Sequence, residues 1–308
     1  MSAILGFNAG SLPFNYLGVP LFRGKPRRLH LQHIADKIIA KLATWKGLSL
    51  SIMGRVELVK SVIQSMLAYS FHIYAWPASL IKSLDGCIRN FIWSGNTKTR
   101  KLVTVAWKKV CSPSKFGGLG LRSIKKMNQA AILKLAWVMK SSDKAWALFC
   151  RARFGSESCL NKRYFKSSIW HGIKANWSKV TQNSMWLVGD GGKINFWKDN
   201  WLGVALMDTL NIPASIHSSL VARVADFVIN SVWTIHRLIV ETFPNVVEDI
   251  VQISTSRVKD KLIWQGTCDA KLWDWLSRIF NFHIDTTSIE TIFLGCNGQW
   301  NPQESEEI

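Results

Sequence analysis

The amino-acid sequence predicts a mainly α fold. It consists of a basic helical body over residues 1–155, then a small α/β segment with one β-hairpin and C-terminal helices over 156–308. Three observations predict it. Apolar residues recur at helical spacing through most of the first half. After residue 180 the pattern changes to strand-like alternation around a Gly-Asp-Gly-Gly turn. Charge is also unevenly divided: residues 1–155 carry 25 Lys and Arg against 4 Asp and Glu, and residues 156–308 carry 14 against 16.

Each element follows from local chemistry. Residues 11–28 read as extended and looped, because Pro13, Gly18, Pro20, Gly24 and Pro26 interrupt any helix. A helix is expected from Leu29 to Trp45, with Leu31, Ile34, Ile38, Leu42 and Trp45 inward. His33, Lys37 and Lys41 form its opposite stripe, and Gly47 is its stop. A second helix is expected from Gly54 to Tyr74, its apolar face being Val59, Val62 or Ile63, Met66, Tyr69 or Ser70, and Ile73. A third runs from Pro77 to Trp93 with proline in its first turn, on a face of Leu80, Leu84, Ile88 and Phe91. A basic, turn-rich connector follows. Further helices are expected at 123–140, with Ile124, Met127, Ala131, Leu135 and Val138 inward, and at 143–153, capped by Asp143. Residues 184–203 read as the hairpin, 220–252 as short helices around Trp233, and 270–281 as a Trp-rich helix before a polar, acidic tail.

Composition bounds the class. At 308 residues and 48% hydrophobic, the chain can bury a core. Most of the sixteen tryptophans fall at core spacing, although tryptophan also stacks on bases. The six cysteines form no C-x-x-C pair, which argues against a disulfide framework or zinc ribbon and fits a reducing compartment. The N-terminus has no signal-peptide pattern, so an intracellular location is expected, the nucleus included. Ser61 to Ile81 carry no formal charge, but Gln64, His72, Pro77 and four serines fit a buried helix better than a membrane span. A body with so few acids calls for a polyanionic partner, nucleic acid before a membrane surface.

Catalytic patterns are sparse. The run Gly117-Gly118-Leu119-Gly120-Leu121 fails phosphate-loop spacing and reads as a turn entering a helix at Ser123. Asp190 and Asp199 lie near one hairpin, where paired carboxylates can hold a cation, but an aspartate inside a turn serves local hydrogen bonds. Cys268, His283 and Cys296 are dispersed and lack a fourth metal ligand. No nucleophile–base pair is evident, and no cofactor or bound metal is expected.

A set of short elements points to a family. The run Phe14 to Leu21 resembles the element just after the polymerase core of plant LINE-type (non-LTR) retrotransposon reverse transcriptase polyproteins, also called reverse transcriptase or ribonuclease H-like proteins. The later order is similar: Trp45-Lys46-Gly47, Gly54-Arg55-Val56, Asn90 to Gly95, Trp107 to Cys111, Gly117 to Leu121, Asn128-Gln129-Ala130, Trp186 to Gly191, Phe196 to Gly203, and Asp260 to Trp264. The family's Tyr-x-Asp-Asp polymerase site has no counterpart here. The resemblance places that site before Met1 and the ribonuclease H-like domain after the last residue. It also implies that the zinc-binding region is largely deleted, leaving Cys268 as a remnant ligand.

The resemblance implies that residues 1–155 are a thumb or connection-like domain, and that 156–308 are a hairpin-containing linker with the truncated zinc-region remnant. The expected function is a non-catalytic polyprotein fragment that binds RNA or RNA/DNA hybrid with low specificity through phosphate contacts. Candidate contacts are Arg23, Lys25, Arg27, Arg28, Lys37, Lys41, Arg55, Arg100, Lys101, Lys108, Lys109 and Lys115; the plainer alternative for each is a solvated surface charge. Two other readings stand beside this one: a degenerate element copy without activity, and reverse transcriptase activity ascribed only through the parent polyprotein. Asp36, Glu57, Asp85 and Asp143 are too isolated for two-metal chemistry.

Overall fold

The computed structural model describes residues 11–155 and 165–265, except Leu17, Ser231 and Arg257. These residues are mainly helical, with three two-stranded antiparallel sheets. They divide into two compact units, one of residues 11–148 and 165–178, the other of 149–155 and 179–265.

The first unit opens on β1 (Phe14–Tyr16) and β2 (Val19–Leu21), paired with Phe14 opposite Leu21. Val19 and Pro20 are buried, and the Tyr74 hydroxyl donates to the Pro20 carbonyl at 2.8 Å. The looped stretch expected over 11–28 thus contains a short hairpin. Next, α1 (Arg28–Thr44) buries Leu31, Ala35, Ile38 and Leu42, with Lys37 and Lys41 exposed. His33, expected beside those lysines, is half-buried.

After a 3-10 turn (Gly47–Ser49), Ser51 caps α2 (Ile52–Leu58), its hydroxyl accepting from the Gly54 N–H at 3.1 Å. A π turn (Val59–Ile63) leads into α3 (Gln64–Phe71). The wider π turn moves the buried face to Val59, Ile63, Leu67 and Phe71. Met66, expected inward, is 39% exposed, and of the alternatives Tyr69 and Ser70 it is Ser70 that is buried, with Tyr69 50% exposed.

Past α3, the His72 ring Nδ1 lies 2.6 Å from the Ala68 carbonyl, which requires the proton on that nitrogen. Burial is the main cause lowering the His72 pKa below 6.5; Lys134 adds to this and the Ala68 bond opposes it. The unfolded chain therefore takes up the proton first, and the stability held above pH 6.5 is lost as pH falls through the lowered value. The urea midpoint is expected to drop from pH 7 to pH 5, less steeply in the His72→Gln variant. An unchanged slope in that variant would exclude His72 as the source.

Pro77 precedes α4 (Ala78–Ser94), rather than standing in its first turn, and its carbonyl accepts from Leu80 and Ile81. The helix buries Leu80, Leu84, Ile88 and Phe91 and stops at Gly95, whose φ of 73° suits glycine. The basic connector contains α5 (Trp107–Val110), and α6 (Ile124–Ser141) starts at Ser123 as expected. The next helix, α7 (Ala145–Phe154), takes its first carbonyl acceptor from Lys144, so Asp143 stands one residue outside the cap assigned to it. The boundary between the units falls within α7 and within α8 (Trp170–Gln182). No described helix is long and apolar enough to cross a membrane.

The second unit contains β3 (Ser184–Leu187), α9 (Leu206–Thr209), β4 (Val228–Ile229), β5 (Val232–Trp233), α10 (Arg237–Thr242), α11 (Pro244–Val251) and β6 (Lys261–Trp264). The hairpin expected over 184–203 does not form. Instead β3 pairs with β6, Ser184 opposite Trp264, and the residues after β3 make a looped module. Strand alternation located β3 but carries no information about a partner strand that begins only at Lys261. The local hairpin of this unit is β4–β5, so Trp233 itself lies in a strand, while the short helices expected over 220–252 flank it as the 3-10 turn Val224–Phe227, α10 and α11. The core gathers Trp186, Ile194, Phe196, Trp201, Leu206, Val224 and Ile250. Trp201 stacks on Trp233 at 5.6 Å, and its indole N–H donates to the Phe196 carbonyl at 2.9 Å. The Trp-rich helix expected at 270–281, the acidic tail, and Cys268, His283 and Cys296 lie outside the described residues.

Candidate nucleic-acid interface

Of the twelve cations chosen from the sequence, eleven are exposed. Arg23 and Lys25 lie in the turn after β2, and Arg27 and Arg28 begin α1, whose first turn holds no acid. Arg28 donates to Gln32 at 2.8 Å, and Gln32 donates to Asp36 at 2.8 Å. Lys37 and Lys41 follow one turn apart on the exposed face of α1. Arg100 and Lys101 are in the connector, Lys108 and Lys109 on α5, and Lys115 over the Phe116 ring at 5.3 Å. None of the eleven forms an ion pair among the described residues. They fall into local groups before and along α1 and around α5.

Arg55 is different. It is buried, its Nε donating to the Leu50 carbonyl at 3.1 Å and its Nη1 to the Ile92 carbonyl at 2.7 Å and the Phe91 carbonyl at 3.4 Å. It ties α2 to the carboxyl end of α4, where a cation also suits the helix dipole. It is therefore a structural residue and not a phosphate contact. Its spacing carried the signal: Arg55, Val59 and Ile63 share the buried face.

The short elements of the sequence turn out to be joints of the fold. A Cβ on Gly47 would stand 2.4 Å from the Gly95 carbonyl oxygen, so the two glycines hold their loops in backbone contact. Trp45 packs on Phe91 with ring centres 5.8 Å apart. Asn128 is buried. Its carbonyl accepts from the Trp76 N–H at 2.9 Å, and its amide donates to Tyr74 at 2.8 Å, fixing the exit from α3. A Cβ on Gly118 would meet the Ser112 carbonyl oxygen at 2.1 Å, which folds the glycine-rich run back onto the residues after α5.

In the second unit the Asp260 carboxylate accepts from the backbone N–H groups of Gly189, Gly191 and Lys193, each at 2.8 Å. Asp190 accepts from Gly192 at 3.1 Å, and Asp199 from Asn195 at 2.7 Å. Asp190 and Asp199 thus serve the backbone of the loop. Among the described residues no three metal-ligating side chains cluster.

The few acids of the first unit are likewise engaged. Glu57 pairs with Lys60 at 3.6 Å, and Asp85 accepts from the Trp107 indole at 3.4 Å. Burial raises the Asp85 pKa, against the Trp107 bond and the Arg89 charge. Burial also pushes the Cys111 thiol up to about 11, with Asp85 adding to the shift and Lys126 opposing it.

No family model matches the chain. It is similar to two curated Arabidopsis thaliana proteins. One, named "Putative ribonuclease H protein", is 30% identical over 191 residues, 60% of this chain but 31% of that protein. The other, an uncharacterized mitochondrial protein, is 26% identical over 150 residues, 47% of this chain and 95% of its own length.

Proposed function

We propose that the first unit binds nucleic acid through sequence-independent phosphate contacts, and that the chain is a non-catalytic section of a plant LINE-type retrotransposon polyprotein. The observation carrying this reading is the surface of exposed cations at Arg23, Lys25, Arg27, Arg28, Lys37, Lys41, Arg100, Lys101, Lys108, Lys109 and Lys115, with no carboxylate partners among the described residues. Such cations displace the counterions condensed on a phosphate backbone, which supplies affinity without reading sequence. The ribonuclease H name of one relative and the order of the short elements support the same partner. The reading takes nucleic-acid association from that name and leaves out hydrolysis. In support, Asp36, Glu57 and Asp85 are engaged with Gln32, Lys60 and Trp107.

A salt titration of the full chain on a short RNA/DNA hybrid tests it. If roughly 5 phosphates are neutralised, log K against log salt should slope at about −4 to −5. Replacing Lys37 and Lys41 together by alanine should weaken binding equally for hybrids of different sequence and make the slope shallower, with the urea midpoint unmoved. No affinity at low salt, or a slope near zero, would favour the degenerate-copy reading instead.

A further inference from the structure

A groove of about 520 Å³ opens where the Gly47–Ser49 turn meets the loop after α4. The touching Gly47 and Gly95 backbones line it, together with Trp45, Lys46 and Lys98. No acidic side chain lines it. Lys46 and Lys98 are exposed and form no ion pair among the described residues. Trp45 packs on Phe91 yet stays half-exposed beside the groove. Two helices end here, and their carbonyl poles would repel an anion if left bare. Cations offset both: Lys41 lies in the last turn of α1, and Arg55 sits on the last carbonyls of α4.

A concave, positive groove with a half-exposed indole in its wall has the chemistry of a single-strand site. An unpaired base can stack on an indole, whereas a paired base is covered by its neighbours in the duplex. We propose that this groove holds an unpaired nucleotide of a nucleic-acid strand, its base on Trp45 and its flanking phosphates on Lys46 and Lys98. The inference rests on the nucleic-acid reading above and adds to it a preference of this one site for single strands. The twelve cations picked from the sequence include neither lysine, because only the folding of the two loops brings them to one groove.

The test uses the full chain with a labelled single-stranded oligonucleotide and a duplex of the same length. In the Lys46→Ala/Lys98→Ala variant, single-strand affinity should fall about tenfold, with the salt slope shallower by roughly 1.4 for two lost phosphate contacts. Duplex affinity should change less than twofold. A strand of abasic nucleotides should bind the unaltered protein more weakly than the normal strand, and the Trp45→Leu variant should no longer distinguish them. Equal weakening of strand and duplex in the double variant, or no change in either, would overturn the groove while leaving general nucleic-acid binding intact. Absence of binding by the unaltered chain to both probes would overturn both. Urea midpoints confirm that the variants are folded; should Trp45→Leu fail there, the double lysine variant alone decides.

Discussion

Replacing Arg55 by alanine is expected to destabilise the first unit by about 3 kcal/mol, since the change takes the guanidinium donor from the buried Ile92 carbonyl and the part-buried Leu50 carbonyl, leaves Phe91 only its bond from Gly95, and empties the space between two helices. Lysine should restore little. An ammonium on a flexible stem cannot reproduce the planar fork that reaches carbonyls on two separate segments. Methionine tests the alternative that volume alone matters; it should remain well below the unaltered protein, because it fills space without donating. Urea unfolding followed by far-ultraviolet circular dichroism measures all three. Stability equal to the unaltered protein in Arg55→Ala would return Arg55 to the surface cations. The Lys37→Ala/Lys41→Ala pair should behave oppositely, changing affinity and leaving the midpoint in place.

The second large effect is expected at the loop after β3. An alanine at Gly189 would set its Cβ 2.1 Å from the Val258 carbonyl oxygen, backbone against side chain with no flexible group to yield. The loop must shift, and with it the N–H groups aimed at Asp260. A loss of about 4 kcal/mol is expected, since a backbone clash at the buried Gly189 also disrupts the part-buried bonds to Asp260. Asp260→Ala should cost about 3 kcal/mol, because three backbone donors lose a charged acceptor at once. Asp190→Ala, which frees one exposed donor, should cost about 1 kcal/mol or less. This ranking separates a loop organised by Asp260 from one organised by its own turn residue. Comparable losses at 190 and 260 would reject it.

The helices were legible because a buried helical face repeats within a few residues, as at Leu31, Ile38 and Leu42 or Leu80, Leu84 and Ile88. The π turn at Val59–Ile63 was not, since its extra residue per turn leaves composition unchanged and shows only as the drift that exposes Met66 and Tyr69. Strand pairing was half legible: alternation marked β3, while its partner β6 follows Asp260, whose carboxylate is the loop's anchor. Eleven of the twelve candidate phosphate contacts are exposed, as such a contact requires; the twelfth, Arg55, carries a charge that masked its place on a core face. The groove at Gly47 and Gly95 was illegible, because two lysines 52 residues apart in the chain share no local pattern.

Cations without carboxylate neighbours make the compact state a crowding of like charge, which the unfolded chain relaxes by swelling. Any anion that gathers at the folded surface offsets that strain, so the conformational equilibrium of the first unit is thermodynamically linked to the ionic composition around it. At 0.1 M salt the repulsion reaches about 10 Å, spanning neighbouring side chains but not the whole body. A polyanion at about 100 times its dissociation constant would add roughly 2.7 kcal/mol to the folded form. The melting temperature is then a property shared by the chain and its dissolved anions.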